Sequence, residues 1–110
     1  MSAAVTLPDS IKAATDVYVG TAYILTMGRM TPAHVEQKLS IAENRDVTVR
    51  CIIEHAQSAF GLPACFTPTQ ACGDAIVAFF ISEYHDLYNT PLDDVDEAVD
   101  RSLLNAPLVA

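Results

Sequence analysis

Ala75-Ile76-Val77-Ala78-Phe79-Phe80-Ile81 is an uninterrupted apolar run, and its surroundings decide how it folds. Upstream stands Thr67-Pro68-Thr69-Gln70, with Thr67 and Gln70 at the spacing of a capping box, in which two side chains satisfy backbone donors reciprocally. Pro68 suits a first helical position, where the missing N–H is not needed. Downstream, Tyr84, His85, Asp86 and Tyr88 lead to Asn89, a residue that tolerates the left-handed conformation at a helix end. The whole predicts one helix over 68–88. A helix that is apolar nearly all round belongs at the centre of a bundle.

Working outward, the same punctuation recurs. Thr31-Pro32 and Thr90-Pro91 each precede an amphipathic run, and threonine caps a helix by accepting a backbone N–H. A first helix is expected from near Pro8-Asp9-Ser10 to near Gly28, with Ile11, Ala14, Tyr18, Ala22 and Leu25 at helical spacing. A second is expected over 32–43, with Val35, Leu39 and Ala42 on one face and Asn44 as its stop. The third runs over about 46–60 on the stripe Val49, Ile52, Ile53, Ala56 and Phe60, ending at Gly61. Val47-Thr48-Val49 alone would also suit the start of a strand, but the stripe continues into it at helical period. A fifth helix is expected over 91–104, with Leu92, Val95, Val99 and Leu103 as its seam. The expected fold is thus all-α: a compact single domain over 1–110 of about five helices, with 1–7 and 105–110 as loose tails.

Composition narrows the function classes. Half of the 110 residues are apolar, which suits a folded core rather than disorder. No stretch approaches the roughly 20 apolar residues that span a bilayer. The first eight residues lack the basic and apolar regions of a secretory signal. Cys51, Cys65 and Cys72 are odd in number and irregular in spacing, which suits a reducing, cytoplasmic setting. A net charge of −8 argues against direct binding to nucleic acid, where phosphates must be neutralised, and permits a basic protein partner.

The most distinctive feature is the acidic C-terminal third, where Glu83, Asp86, Asp93, Asp94, Asp96, Glu97 and Asp100 face only Arg101. On a helix Asp93, Asp96, Glu97 and Asp100 share one face. Like charges three and four apart cost a few tenths of a kcal/mol per pair. Such a row is a docking face for a basic protein, or simply a solvated helix face. Tyr84 and Tyr88, one turn apart beside the acids, extend the candidate contact surface, since tyrosine offers large area at low entropy cost.

The other constellations are weaker. Cys51 and His55 are one turn apart, and with Cys65 and Cys72 they offer zinc-type ligands, but without the short ligand pairs that zinc sites show. His85 has carboxylates nearby and His34 carries no motif. The Glu-x-x-His of a di-iron bundle and Gly-rich phosphate loops are both absent from the sequence. A helix-turn-helix built on the second and third helices would have only Arg50 on its reading helix. The reading is a small acidic protein-binding module without catalytic residues or cofactor, suited to inhibit a basic, nucleic-acid-handling protein. A self-associating assembly protein, using an apolar patch around Tyr23 and Met27, and a small Cys/His metal or thiol protein are the alternatives.

Overall fold

The computed structural model describes residues 6–89 and is all-helical over that span. Four helices follow in order: α1 (Asp9–Leu25), α2 (Pro32–Leu39), α3 (Ala42–Ala59) and α4 (Gln70–Tyr88). None of them is long and apolar enough to cross a membrane. The expected fifth helix over 91–104 lies outside the described residues.

The helix starts follow local chemistry. At α2 the Thr31 hydroxyl accepts the His34 N–H at 3.2 Å, with Pro32 at the first helical position. At α4 the cap is Thr69, whose hydroxyl accepts the Cys72 N–H at 3.1 Å. The capping box expected at Thr67 and Gln70 does not form. Thr67 instead points its hydroxyl at the Cys65 carbonyl, and Pro68 stays in the loop. Two threonines compete for one cap here, and the start of the helix is displaced by one turn fragment.

The α2–α3 boundary differs more. The second helix stops at Leu39 and the third starts at Ala42, so the junction is a tight turn at Ser40-Ile41. Asn44, expected as a stop, sits in the first turn of α3. From there its amide donates to the Lys38 carbonyl at 3.1 Å and satisfies the end of α2 from outside. Val47-Thr48-Val49 is helical.

The first helix closes with a reciprocal pair of bonds: Gly28 N–H to the Tyr23 carbonyl and Met27 N–H to the Ile24 carbonyl, each at 3.0 Å. That is a Schellman end. Its left-handed position, usually glycine, is occupied by Met27 at φ 53°. A non-glycine residue there costs about 1 kcal/mol. Gly28 follows at φ 71°, and a Cβ on it would stand 2.9 Å from the Tyr23 hydroxyl.

The core is assembled from Ile11, Ala14, Thr15 and Val19 of α1, Val35 and Leu39 of α2, and Ile52, Ile53 and Ala56 of α3. To these α4 adds Cys72, Ile76, Val77, Phe80 and Tyr84. Leu7 and Leu62 close it from the connecting segments. Thr15 is tolerated inside because its hydroxyl donates to the Ile11 carbonyl at 2.7 Å. The expected α1 stripe is partly displaced: Leu25 is 77% exposed, and Val19 takes the buried position.

The first helix packs mainly on α4 and α3, α2 leans on the same two helices, and the direct α3–α4 contact is lighter. The apolar middle of α4 is therefore covered on one side and open on the other. Ile76, Val77 and Phe80 are buried, while Ala78 is exposed.

Tyr84 is the largest fully buried side chain, and its hydroxyl donates to the Met30 carbonyl at 2.6 Å. Removing that hydroxyl in Tyr84→Phe leaves the carbonyl unpaired and is expected to cost about 1–2 kcal/mol. Urea denaturation is the measurement; an unchanged midpoint would show that the bond contributes nothing.

Candidate interaction surface

The end of α4 brings together three tyrosines. Tyr23 of α1 lies against Tyr84 with ring centroids 6.2 Å apart, and Tyr88 stacks on Tyr84 at 6.5 Å and 23°. Burial pushes the Tyr84 hydroxyl pKa above its ordinary value, partly offset by a hydrogen bond with Thr26. Tyr84 was expected on a contact surface; the structure places it in the interior, where it holds α4 to the α1–α2 connection. Tyr88 is half-buried at the edge of the same cluster. Asp93, Asp96, Glu97 and Asp100 lie outside the described residues.

Beside this cluster the acidic character starts earlier than the linear pattern indicates. Asp16 of α1 and Glu83 of α4 bring their carboxyl groups together across the α1–α4 seam. Partial burial, a hydrogen bond between the two carboxyls and the Glu83 charge raise Asp16 from 3.8 to about 7. Asp16 remains solvent-exposed as a residue, so its carboxyl is within reach of bulk water. Among the described residues no cation stands within ion-pairing distance of the pair. Sequence reading missed this contact, because it arises from two helices that are remote in the chain. The only local signal is an acid at position 16 inside an otherwise apolar stretch, Ala13 to Val19.

The thiol and imidazole groups do not converge. Cys72 is buried in the core, which raises its thiol pKa; Cys65 is exposed in the α3–α4 loop, and Cys51 is half-buried on α3. His55 lies edge-on between Tyr18 at 5.7 Å and Phe60 at 5.6 Å, with its Nε2 buried and unpartnered. Among the described residues no three His, Cys, Asp or Glu side chains cluster closely enough to hold a metal ion. His85 is exposed, its Nδ1 2.9 Å from the Asn89 side-chain amide. His34 serves the α2 cap through its backbone.

Several grooves mark the surface of the described residues. One, about 560 Å³, lies between α3 and the start of α4 along Val49, Ile53 and Gly73, and its lining sets Arg45 and Arg50 beside Asp46, Glu54 and Asp74. A second, about 330 Å³, lies where α2, α3 and α4 meet, floored by Met30, Val35, Leu39, Val47 and Phe80. A third, about 380 Å³, is lined by Glu36, Ala78, Ile81, Ser82, His85 and Asp86. Among the described residues the large exposed apolar side chains are Leu25 and Met27, each 77% exposed, with Ile41 at 53% and Val47 at 43%. Tyr23, expected in the same patch as Met27, is half-buried against Gly28 and Tyr84.

No family model, no curated protein and no solved structure matches this chain.

A carboxyl whose pKa is raised on folding makes the folded state bind more protons than the unfolded one between its two pKa values. Its contribution is full below about 3.8 and is lost as pH rises through about 7. Asp16→Asn, which cannot ionise, is therefore expected to raise the melting temperature at pH 8, to raise it less at pH 5, and to leave it nearly unchanged below about pH 3.8. Equal shifts at all three pH values would show that folding does not raise the Asp16 pKa.

Proposed function

We propose that this chain is an acidic protein-binding module that docks on a basic partner. The observation that carries the reading is the Asp16–Glu83 pair, two carboxyls pressed together with no cation among the described residues to neutralise them. A protein that only needs solubility has no reason to press carboxyls together; separating them would cost less. A lysine or arginine of a partner seated there would relieve the repulsion and favour the ionised form of Asp16. The pair adjoins the acidic run that begins at Glu83 and Asp86 and continues through Asp93, Asp96, Glu97 and Asp100. In this reading Asp93, Asp96, Glu97 and Asp100 extend the surface, and Tyr88 edges it. A row of carboxylates suits the cationic groove of a nucleic-acid-handling protein, where complementary potentials speed encounter and set register. Occupying that groove makes the module an inhibitor, without chemistry or cofactor of its own. Three unpaired thiols favour a reducing, intracellular setting.

The test is capture from the source cells by the tagged full chain, beside a variant carrying Asp93→Asn, Asp96→Asn, Glu97→Gln and Asp100→Asn. The expected result is a basic protein retained by the wild type and lost from the variant, with retention weakening below pH 7 as Asp16 takes up its proton. Equal capture by both chains sinks the acidic docking face.

Self-association is a second reading, favoured by one observation. The left-handed turn at Met27 carries two large apolar side chains, Leu25 and Met27, into solvent at one corner. Met27→Gly separates the effects, because glycine suits φ 53° and removes the apolar group. The variant is expected to be about 1 kcal/mol more stable as a fold. If the corner is a self-contact, light scattering will show a smaller assembly than the wild type; a wild-type monomer at every concentration removes this reading.

A further inference from the structure

We infer that the groove where α2, α3 and α4 meet receives the Leu25–Met27 corner of a second copy of this chain, each copy entering the other about a two-fold axis. This contact rests on the self-association reading above, and adds to it the surface that receives the corner and the symmetry of the pair.

Charge limits where a second copy sits. The chain carries −8, so two copies repel each other wherever their acids meet. Residues 25–48 are balanced: Glu36, Glu43 and Asp46 are offset by Arg29, Lys38 and Arg45, and the whole net charge lies outside this stretch. Leu25, Met27, Ile41 and Val47, the large exposed apolar side chains among the described residues, all fall within it. The stretch 55–73 is also free of charge, but it holds none of these side chains. Absence of net charge and exposed apolar surface therefore coincide over 25–48, which suits a copy of the same surface better than a basic partner.

Shape supplies the two halves of the contact. Leu25 and Met27 project at the corner that ends α1, with Met27 held at φ 53°. Methionine is unbranched and fills irregular apolar gaps. The groove, about 330 Å³, offers Val35, Leu39 and Phe80 as a floor, and Val47 on its lining is 43% exposed. None of the large exposed apolar side chains lines the groove between α3 and the start of α4.

Position sets the symmetry. Met30 lines the receiving groove and follows Met27 by three residues, at most about 11 Å of chain. Corner and groove are thus neighbours on one molecule. Half a turn about an axis between them places each corner in the other copy's groove and closes the assembly at two, whereas a corner and groove on opposite sides make an open head-to-tail chain. Arg29 stands between Met27 and Met30, and Glu43 lines the groove. Both are exposed, and among the described residues neither has an ion-pair partner in its own chain. Seating the corner brings Arg29 of one copy toward Glu43 of the other.

Sedimentation equilibrium of the full chain over a range of concentrations tests the contact. The wild type is expected to reach a dimer and no larger species. Met27→Gly removes the corner, and Val47→Glu sets a charge in the groove at an already exposed position; each is expected to weaken the dimer at least about tenfold. An equimolar mixture of the two variants is expected to associate more tightly than either alone, because it keeps one intact corner opposite one intact groove. Arg29→Glu and Glu43→Arg change only exposed side chains. Each alone is expected to weaken the dimer, and the two together to restore it, because the opposed charges are exchanged. A wild-type monomer at every concentration overturns this contact together with the self-association reading. A dimer that Met27→Gly weakens and Val47→Glu leaves intact keeps that reading and overturns the groove. Species that grow beyond two overturn the two-fold arrangement, as does a mixture no tighter than its components.

Discussion

The hydrogen bond from the Tyr84 hydroxyl to the Met30 carbonyl joins positions 54 residues apart and fixes how the bundle closes. An unsatisfied polar group in a low-dielectric interior costs more than its hydrogen bond contributes when made. Tyr84 is fully buried, so its hydroxyl requires a partner, and the backbone carbonyl between α1 and α2 supplies one. The consequence reaches three elements. The fourth helix is pinned to the α1–α2 connection, Tyr23 and Tyr88 are gathered against the Tyr84 ring, and the chain beside them turns at Gly28 with φ 71°, a conformation that glycine adopts freely.

Closing the bundle this way brings α1 and α4 side by side along much of their length, and that contact has an electrostatic cost. Asp16 and Glu83 meet on the seam, where partial burial and the neighbouring Glu83 carboxyl raise the Asp16 pKa to about 7. The same closure leaves the α1–α2 corner with Met27 in a left-handed conformation and its side chain in water. Stability is given up at both places: by like charge in one, by backbone strain and exposed apolar surface in the other.

Much of the fold was legible in the linear pattern. Thr31-Pro32 caps α2 as its chemistry requires, and the α3 stripe Ile52, Ile53, Ala56 is buried. The errors fall where two local signals compete. Thr67 and Thr69 both qualify as caps for α4, and only the packing of the helix against the core selects Thr69. Asn44 was expected to stop the helix before it and does satisfy that helix, but from inside the next one. The candidate surface was less legible. Tyr84 and Tyr88 look equivalent one turn apart, yet the first lies in the interior and the second at the edge.

The sequence by itself determined that the described residues are helical, roughly where α1 to α4 begin and end, and that the acidic residues gather toward the C-terminus. Those properties are carried by caps, periodicity and composition, which act over a few residues. Only the tertiary structure decided which apolar face of α4 is covered, which tyrosine is sealed in, and that Asp16 meets Glu83. Each of these depends on the approach of helices remote in the chain, and the distance between two side chains on different helices is set by the packing of every residue between them.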